Sequence, residues 1–339
     1  MAKHLPAKTV LLGAGLCLLV VWGVRGGDEA PARGQGPDPK VQIVPRSSVA
    51  ASPMVDIPRV DLRVDTTLVL IPVTVTDPMN RFVTGLEKDH FRLQEDNVDQ
   101  TISHFASEDA PLSVGIVFDT SGSMGAKLQK SRQAVAQFCK TANPQDEFFL
   151  VQFNSSPELT VAFTTDPEEI QNRITFSQSR GRTALLDAVY LALHEMKKSK
   201  NPRKALLVIS DGGDNSSRYT EGEIKNLVRE ADVQVFGIGI FEPLGSRGRT
   251  AEELAGPSLL SDIAEQTGGR AYPVENLNDL PDIAAKIGIE LRNQYVLGYS
   301  STNQERDGKY RRVKVKVMQP RGLPPLRAFW RLGYYAPSQ

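Results

Sequence analysis

Between residues 111 and 292, short apolar runs alternate with segments of helical periodicity, and this alternation restricts the fold more than any other feature of the chain. Ser113–Phe118, Phe148–Phe153, Ala205–Ser210 and Val233–Ile238 read as strands. The intervening helices carry recognisable capping chemistry. Asp166-Pro167-Glu168-Glu169 offers an acidic N-cap with Pro at the first helical position. Thr220 and Glu223 form a capping box, and Ser258 is expected to cap a helix that ends at Gly268-Gly269. Leu185, Val189, Ala192 and Met196 share one helical face, as do Leu280, Ile283, Ile287 and Leu291. Strand–helix alternation of this kind predicts an α/β fold with a doubly wound, mainly parallel sheet.

Two β-rich segments, 59–108 and 293–339, flank the alternating stretch. In the first, Val69, Ile71, Val73 and Val75 recur with period two. Pro72 cannot donate to a ladder, which predicts an edge or bulged strand. Asp77-Pro78-Met79-Asn80 is a turn, and Phe91–Leu93 and Ile102–Phe105 are short strands separated by the turn Glu95-Asp96-Asn97. In the second segment, Tyr295–Tyr299 is a strand. Arg312, Lys314 and Lys316 alternate with Val313, Val315 and Val317, giving a solvated face and a dry one. Asp307-Gly308 is a hairpin signal between these strands. Neither segment has enough strands to be stable alone, so the two are expected to pair into one small β-sandwich with the 111–292 domain inserted between them.

The first 58 residues have a different character. Lys3, His4 and Lys8 precede an uncharged run from Thr9 to Val24, so residues 1–27 read as an export signal, either cleaved or retained as a membrane anchor. The positive flank stays in the cytoplasm and sends the rest of the chain outward, to a secreted, periplasmic or anchored location. Residues 28–58 hold six prolines among Gly, Ser and Ala and form a linker that cannot build a core. Lys+Arg and Asp+Glu both number 40, which argues against a nucleic-acid binder. With four His and two Cys there is little for a zinc site and no disulfide framework.

In open parallel sheets, ligands sit beyond the carboxyl ends of the strands. The first strand of the middle domain runs into Asp119-Thr120-Ser121-Gly122-Ser123. The third runs into Asp211-Gly212-Gly213-Asp214, and Gly181-Arg182-Thr183-Ala184-Leu185 precedes a long helix. Two carboxylates and three hydroxyls are thereby directed to one sheet edge. An all-oxygen set without His or Cys suits a hard divalent cation such as Mg²⁺, with Mn²⁺ or Ca²⁺ as alternatives.

These residues resemble the von Willebrand factor type A (VWA) family and its metal-ion-dependent adhesion site. The resemblance implies that Asp119, Ser121 and Ser123 are first-loop metal ligands, Thr183 the second-loop ligand and Asp211 the third-loop ligand. Where integrin-like relatives carry acids after the second Ser, this chain has Met124-Gly125-Ala126-Lys127, which argues against an adjacent second metal. The flanks, with LGY at 297–299 and GYYAP at 333–337, resemble the bacterial VWFA-related exported group. The family's sites work through a partner that donates an Asp or Glu carboxylate to the ion. The implied function is therefore binding of a protein partner by an exported protein, with membrane contact only through the N-terminal segment. The alternative is a structural or assembly subunit of an envelope complex in which the ion mainly stabilises the fold.

Enzyme motifs are missing. His194-Glu195 lacks the second His of a zinc protease, because Lys198 stands in its place. Ser121 stands where a GxSxG elbow needs its first Gly, and the DTSGS run lacks the second Asp of an aspartyl-phosphate site. Cys139 falls on a helix with Leu128, Val135 and Phe138 and reads as a core thiol. The segment 241–257 follows the Val233 strand at the same sheet edge, either as rim of the site or as a plain surface loop.

Overall fold

The computed structural model describes residues 68–107, 109–211, 213–241 and 251–338. The expected export segment 1–27, the linker 28–58, residues 59–67 and most of the 241–257 segment lie outside the described residues, as do Glu108 and Gly212. Among the described residues no helix is long and apolar enough to cross a membrane.

The central strand of the α/β domain is β5 (Leu112–Asp119), buried along its whole length. It lies between β6 (Glu147–Phe153) and β8 (Arg203–Ser210), and β8 is followed outward by β9 (Gln234–Ile240) and β10 (Ala271–Val274). These five strands run parallel. A sixth, β7 (Pro157–Thr164), pairs antiparallel with β6 at the edge. Side chains alternate between two cores. Val114, Ile116 and Phe118 of β5 face one that includes α1 (Leu128–Cys139), α2 (Pro167–Thr175) and α6 (Leu280–Arg292). Val117 faces the other, with α3 (Leu185–Met196), α4 (Glu221–Glu230) and α5 (Ala251–Gln266). Helices on both faces are what make the sheet doubly wound. The chain leaves β5 toward β6 and later returns to its other side as β8, so the topological switch point falls between β5 and β8.

The flanking segments form a sandwich. One sheet has the order β13 (Arg327–Trp330), β1 (Leu68–Thr76), β11 (Tyr295–Ser300), β4 (Ile102–Ala106). The other has β14 (Gly333–Tyr335), β12 (Tyr310–Val317), β2 (Phe91–Glu95), β3 (Val98–Gln100). Each sheet mixes strands from both ends of the chain. Ile71, Val73, Phe91 and Leu93 from the first segment pack with Tyr295, Leu297, Val313 and Val315 from the last. Buried Glu95 accepts hydrogen bonds from Tyr299 at 2.7 Å, Tyr334 at 2.8 Å and Ser301 at 2.6 Å, fixing the two segments to each other through a polar contact as well.

Three local expectations need correction. Asp307-Gly308 is not the turn of a hairpin between paired strands: β11 and β12 belong to different sheets, and the connection crosses the sandwich. Each strand buries its dry face by pairing with first-segment strands, and that burial outweighs local turn chemistry. Ser258 does not cap its helix, because α5 already begins at Ala251. Nor is β1 wholly an edge strand. It has β11 on one side throughout most of its length, whereas β13 covers only Val73–Thr76, so Pro72 falls in the half with a single neighbour.

Arg270, just before β10, is one of the residues that join the two modules, as is Arg331, which donates to Asp232 at 2.6 Å. The Arg270 guanidinium donates to both oxygens of Glu290 on α6, at 3.0 and 2.6 Å, and to Asn80 Oδ1 of the sandwich at 3.1 Å. The same group lies 4.4 Å from the ring centroid of Phe329 on β13, and the Tyr272 hydroxyl donates to Glu290 as well.

Candidate functional site

The switch point between β5 and β8 carries the candidate site. Asp119 is the last residue of β5 and Asp211 follows the last residue of β8. Since both strands run parallel and in register, from Leu112 opposite Arg203 to Phe118 opposite Ile209, their ends bring the two carboxylates to one place. Asp119 is 0% exposed. Its Oδ1 accepts the Ser121 backbone N–H at 2.7 Å and its Oδ2 accepts the Ser210 hydroxyl at 2.6 Å. Ser121 is buried, and its hydroxyl lies 3.1 Å from that of Ser123, which is exposed and opens the site to solvent.

The loop ahead of α3 is drawn against the first loop by a hydrogen bond from Gly122 N to Gly181 O at 3.0 Å and another from Arg180 N to Thr120 O at 2.8 Å. Gly181 has φ +79°, and a Cβ there would stand 2.7 Å from Ser155 Oγ, so both conformation and space call for glycine. Thr183, two residues on, is buried. Its backbone is held from both sides: its N–H donates to Asn215 Oδ1 at 3.0 Å, and its carbonyl accepts from Asn215 N and Ser216 N. No side chain of its own loop caps α3. Asp214 does so from the β8–α4 loop, accepting Leu185 N at 2.8 Å and the Ser217 hydroxyl at 2.6 Å.

The electrostatics are those of a buried carboxylate with a second one beside it. Burial first, and the Asp211 carboxylate second, push Asp119 up to about 7, against the pull of its Ser210 and Ser121 hydrogen bonds. One cation is already present: Lys127 Nζ lies 3.0 Å from Asp211 Oδ2, with both side chains largely buried. Among the described residues no cluster of three or more His, Cys, Asp or Glu forms. The donors are two carboxylates and the hydroxyls of Ser121, Ser123 and Thr183, which fits a hard divalent cation in chemistry.

Beside the site is a cleft of about 410 Å³ lined by Thr120, Asn154, Arg173, Phe176 and Arg180 among others. Phe176 is 84% exposed there, and Glu158 lines the same cleft as the two arginines. Lys127, Ser210, Asp214 and Asn215 were not singled out from sequence as parts of the site. Ser210 had a signal, as the residue between an apolar strand and Asp211. Lys127 had none, since a lysine at a helix start is ordinarily a solvated charge.

Residues 114–213 match the von Willebrand factor type A domain family. An uncharacterized protein of Borreliella burgdorferi is 27% identical over 188 residues, covering 49% of this chain and 55% of that one. The inter alpha-trypsin inhibitor heavy chain 4 of Mus musculus is 30% identical over 146 residues, covering 38% of this chain and 16% of its own length. The chain thus spans about half the length of the first relative and about a sixth of the second. Among solved structures, a von Willebrand factor type A protein from Catenulispora acidiphila aligns at 12% identity over 80% of this chain and 75% of that chain, with a TM-score of 0.47.

Proposed function

We propose that the VWA domain holds a divalent cation, Mg²⁺ foremost, between Asp119 and Asp211, with Ser121, Ser123 and Thr183 completing the set, and that through it the protein binds a protein partner. The observation that carries this reading is the fully buried Asp119 carboxylate facing Asp211, a pair of negative groups that a cation would relieve. A divalent ion with neutral hydroxyls for much of its shell supplies an open positive centre for an external carboxylate. Arg173 and Arg180 on the neighbouring cleft, offset in part by Glu158, leave a net positive charge, and exposed Phe176 adds an apolar anchor, a surface suited to an acidic segment of the partner. The role is binding and not catalysis. Export by residues 1–27 belongs to the same reading and rests on their sequence alone, with the sandwich as a stalk between membrane and site.

A second reading has the same burial in its favour: an ion placed between two buried carboxylates stabilises the fold whether or not a partner is present, as in a structural subunit of an envelope complex. Calorimetric titration of the full chain with Mg²⁺ or Mn²⁺ tests the site itself. Asp119→Ala and Asp211→Ala should each weaken ion binding on the order of a hundredfold or more, a few kcal/mol at about 1.4 kcal/mol per tenfold. Ser121→Ala should be milder, because it removes a neutral ligand whose place water can take. Unchanged affinity in a folded Asp119→Ala protein would refute the assignment. Cross-linked pull-down from envelope extract with and without EDTA then separates the two readings: a partner lost with EDTA supports adhesion, and ion-dependent stability with no such partner supports the structural role.

A further inference from the structure

We propose that Lys127 is a resident cation of the site: its ammonium holds Asp211 when no divalent ion is bound and competes with that ion for the carboxylate. The inference rests on the ion-site reading above. Lys127 belongs to the same loop as Ser121 and Ser123, and its main chain is fixed: its N–H donates to Met124 O at 2.8 Å, and its carbonyl accepts both the N–H and the hydroxyl of Ser131, at 3.0 and 3.1 Å. The side chain therefore leaves from a set point, and it spans to the loop after β8 to reach Asp211 at 3.0 Å. It is only 12% exposed. A lysine that merely covered surface would keep its head in water; this one spends its charge on a carboxylate of the site.

Charge arithmetic gives the consequence. Asp119 and Asp211 carry two negative charges when ionised, and Lys127 cancels one without being a ligand. It makes the metal-free pocket tolerable, since an unpaired buried carboxylate is costly. It also repels any incoming ion and occupies Asp211 Oδ2, so a divalent ion must displace the ammonium or accept its repulsion at close range. If the ammonium is displaced, it stays tethered at the rim of the site, where it adds to the attraction for an anionic partner.

The test compares the full-length protein with Lys127→Met and Lys127→Gln, which lack the charge, and Lys127→Arg, which keeps it. Mn²⁺ affinity is read by calorimetry and thermal midpoints are read in EDTA and in Mn²⁺, with circular dichroism as the folding control. The neutral variants should bind Mn²⁺ at least tenfold more tightly than wild type, melt lower in EDTA and gain more on adding Mn²⁺, while Lys127→Arg stays near wild type. A lysine with only a structural role would lower the melting point in EDTA and leave the ion affinity where it was. Binding seen in the neutral variants alone also supports the proposal, as competition too strong to overcome in the wild type. Equal or weaker binding in folded neutral variants, with wild type binding and Asp119→Ala not, overturns the inference and leaves the ion site standing. No binding in wild type or in any variant overturns both.

Discussion

Replacing Arg270 by Met is the most demanding probe of how the two modules are joined. The substitution keeps the length of the side chain and removes three interactions together: the double hydrogen bond to Glu290, the donation to Asn80 and the contact over Phe329. Glu290 is 0% exposed and would keep only the Tyr272 hydroxyl as a partner. Removing one member of a buried ion pair typically costs about 3–5 kcal/mol, because the other charge is left unpaired in a poor solvent. With an m-value of about 3 kcal/mol per molar urea, that is a fall of about 1–2 M in the unfolding midpoint. Equilibrium urea denaturation followed by circular dichroism measures it. The double variant Arg270→Met, Glu290→Met should recover most of the loss, because taking both charges away from a buried pair is often neutral or better. The loss that persists in the double variant then belongs to the contacts with Asn80 and Phe329 across to the sandwich and to Tyr272, whose hydroxyl loses Glu290 as its acceptor. A single variant that loses less than about 1 kcal/mol, or a double variant no better than the single, would refute the account.

Two further outcomes follow from the packing. Burial pushes the Cys139 thiol up to about 12. Because this lies above its unfolded value of 9.0, the thiol contributes a stability that is whole below pH 9 and is lost as the pH rises from 9 toward 12; iodoacetamide at pH 8.5 should leave Cys139 unlabelled in the native protein by peptide mapping, and rapid native labelling would contradict it. Deleting residues 294–339 removes β11 from between β1 and β4 and β12 from beside β2, so limited proteolysis should open the 68–106 segment first, and protection of that segment in the truncated protein would sink the split-sandwich account.

Much of this architecture is legible in sequence where local and global demands agree. The strands of the α/β domain are apolar runs ending in polar turns, and Asp119, Ser121 and Asp211 are placed together simply because parallel strands end on the same side. The Asp166 cap and the Thr220–Glu223 box are as local chemistry predicts, with Asp166 accepting from Glu168 N at 2.9 Å. Failures come where a local signal competes with a distant one. Ser258 offers a cap signal in the sequence, yet α5 begins seven residues earlier, at Ala251. Leu159, Val161 and Phe163 alternate as an edge strand does, yet β7 is half-exposed and its apolar content is diluted by Glu158, Thr160 and Thr164. Long side chains are the least legible of all: where Lys127 and Arg270 end depends on loops that arrive from 84 residues and 190 residues away in the chain.

The split sandwich also sets a timetable for synthesis. β1 pairs with β11 in a register that joins Leu68 to Ser300, and nothing within the first segment can take that place. Ile71, Val73, Phe91 and Leu93 must therefore wait, uncovered, while the whole α/β domain is translated. At roughly 5–20 residues per second, the interval between β4 and β11 lasts on the order of 10–40 s. If the chain is exported as proposed, so long a delay is an asset, since the sandwich cannot close before the last segment is made. For a chain that stays too long in the cytoplasm it is a hazard, and the nascent apolar face becomes a site for holding by chaperones or for misassociation.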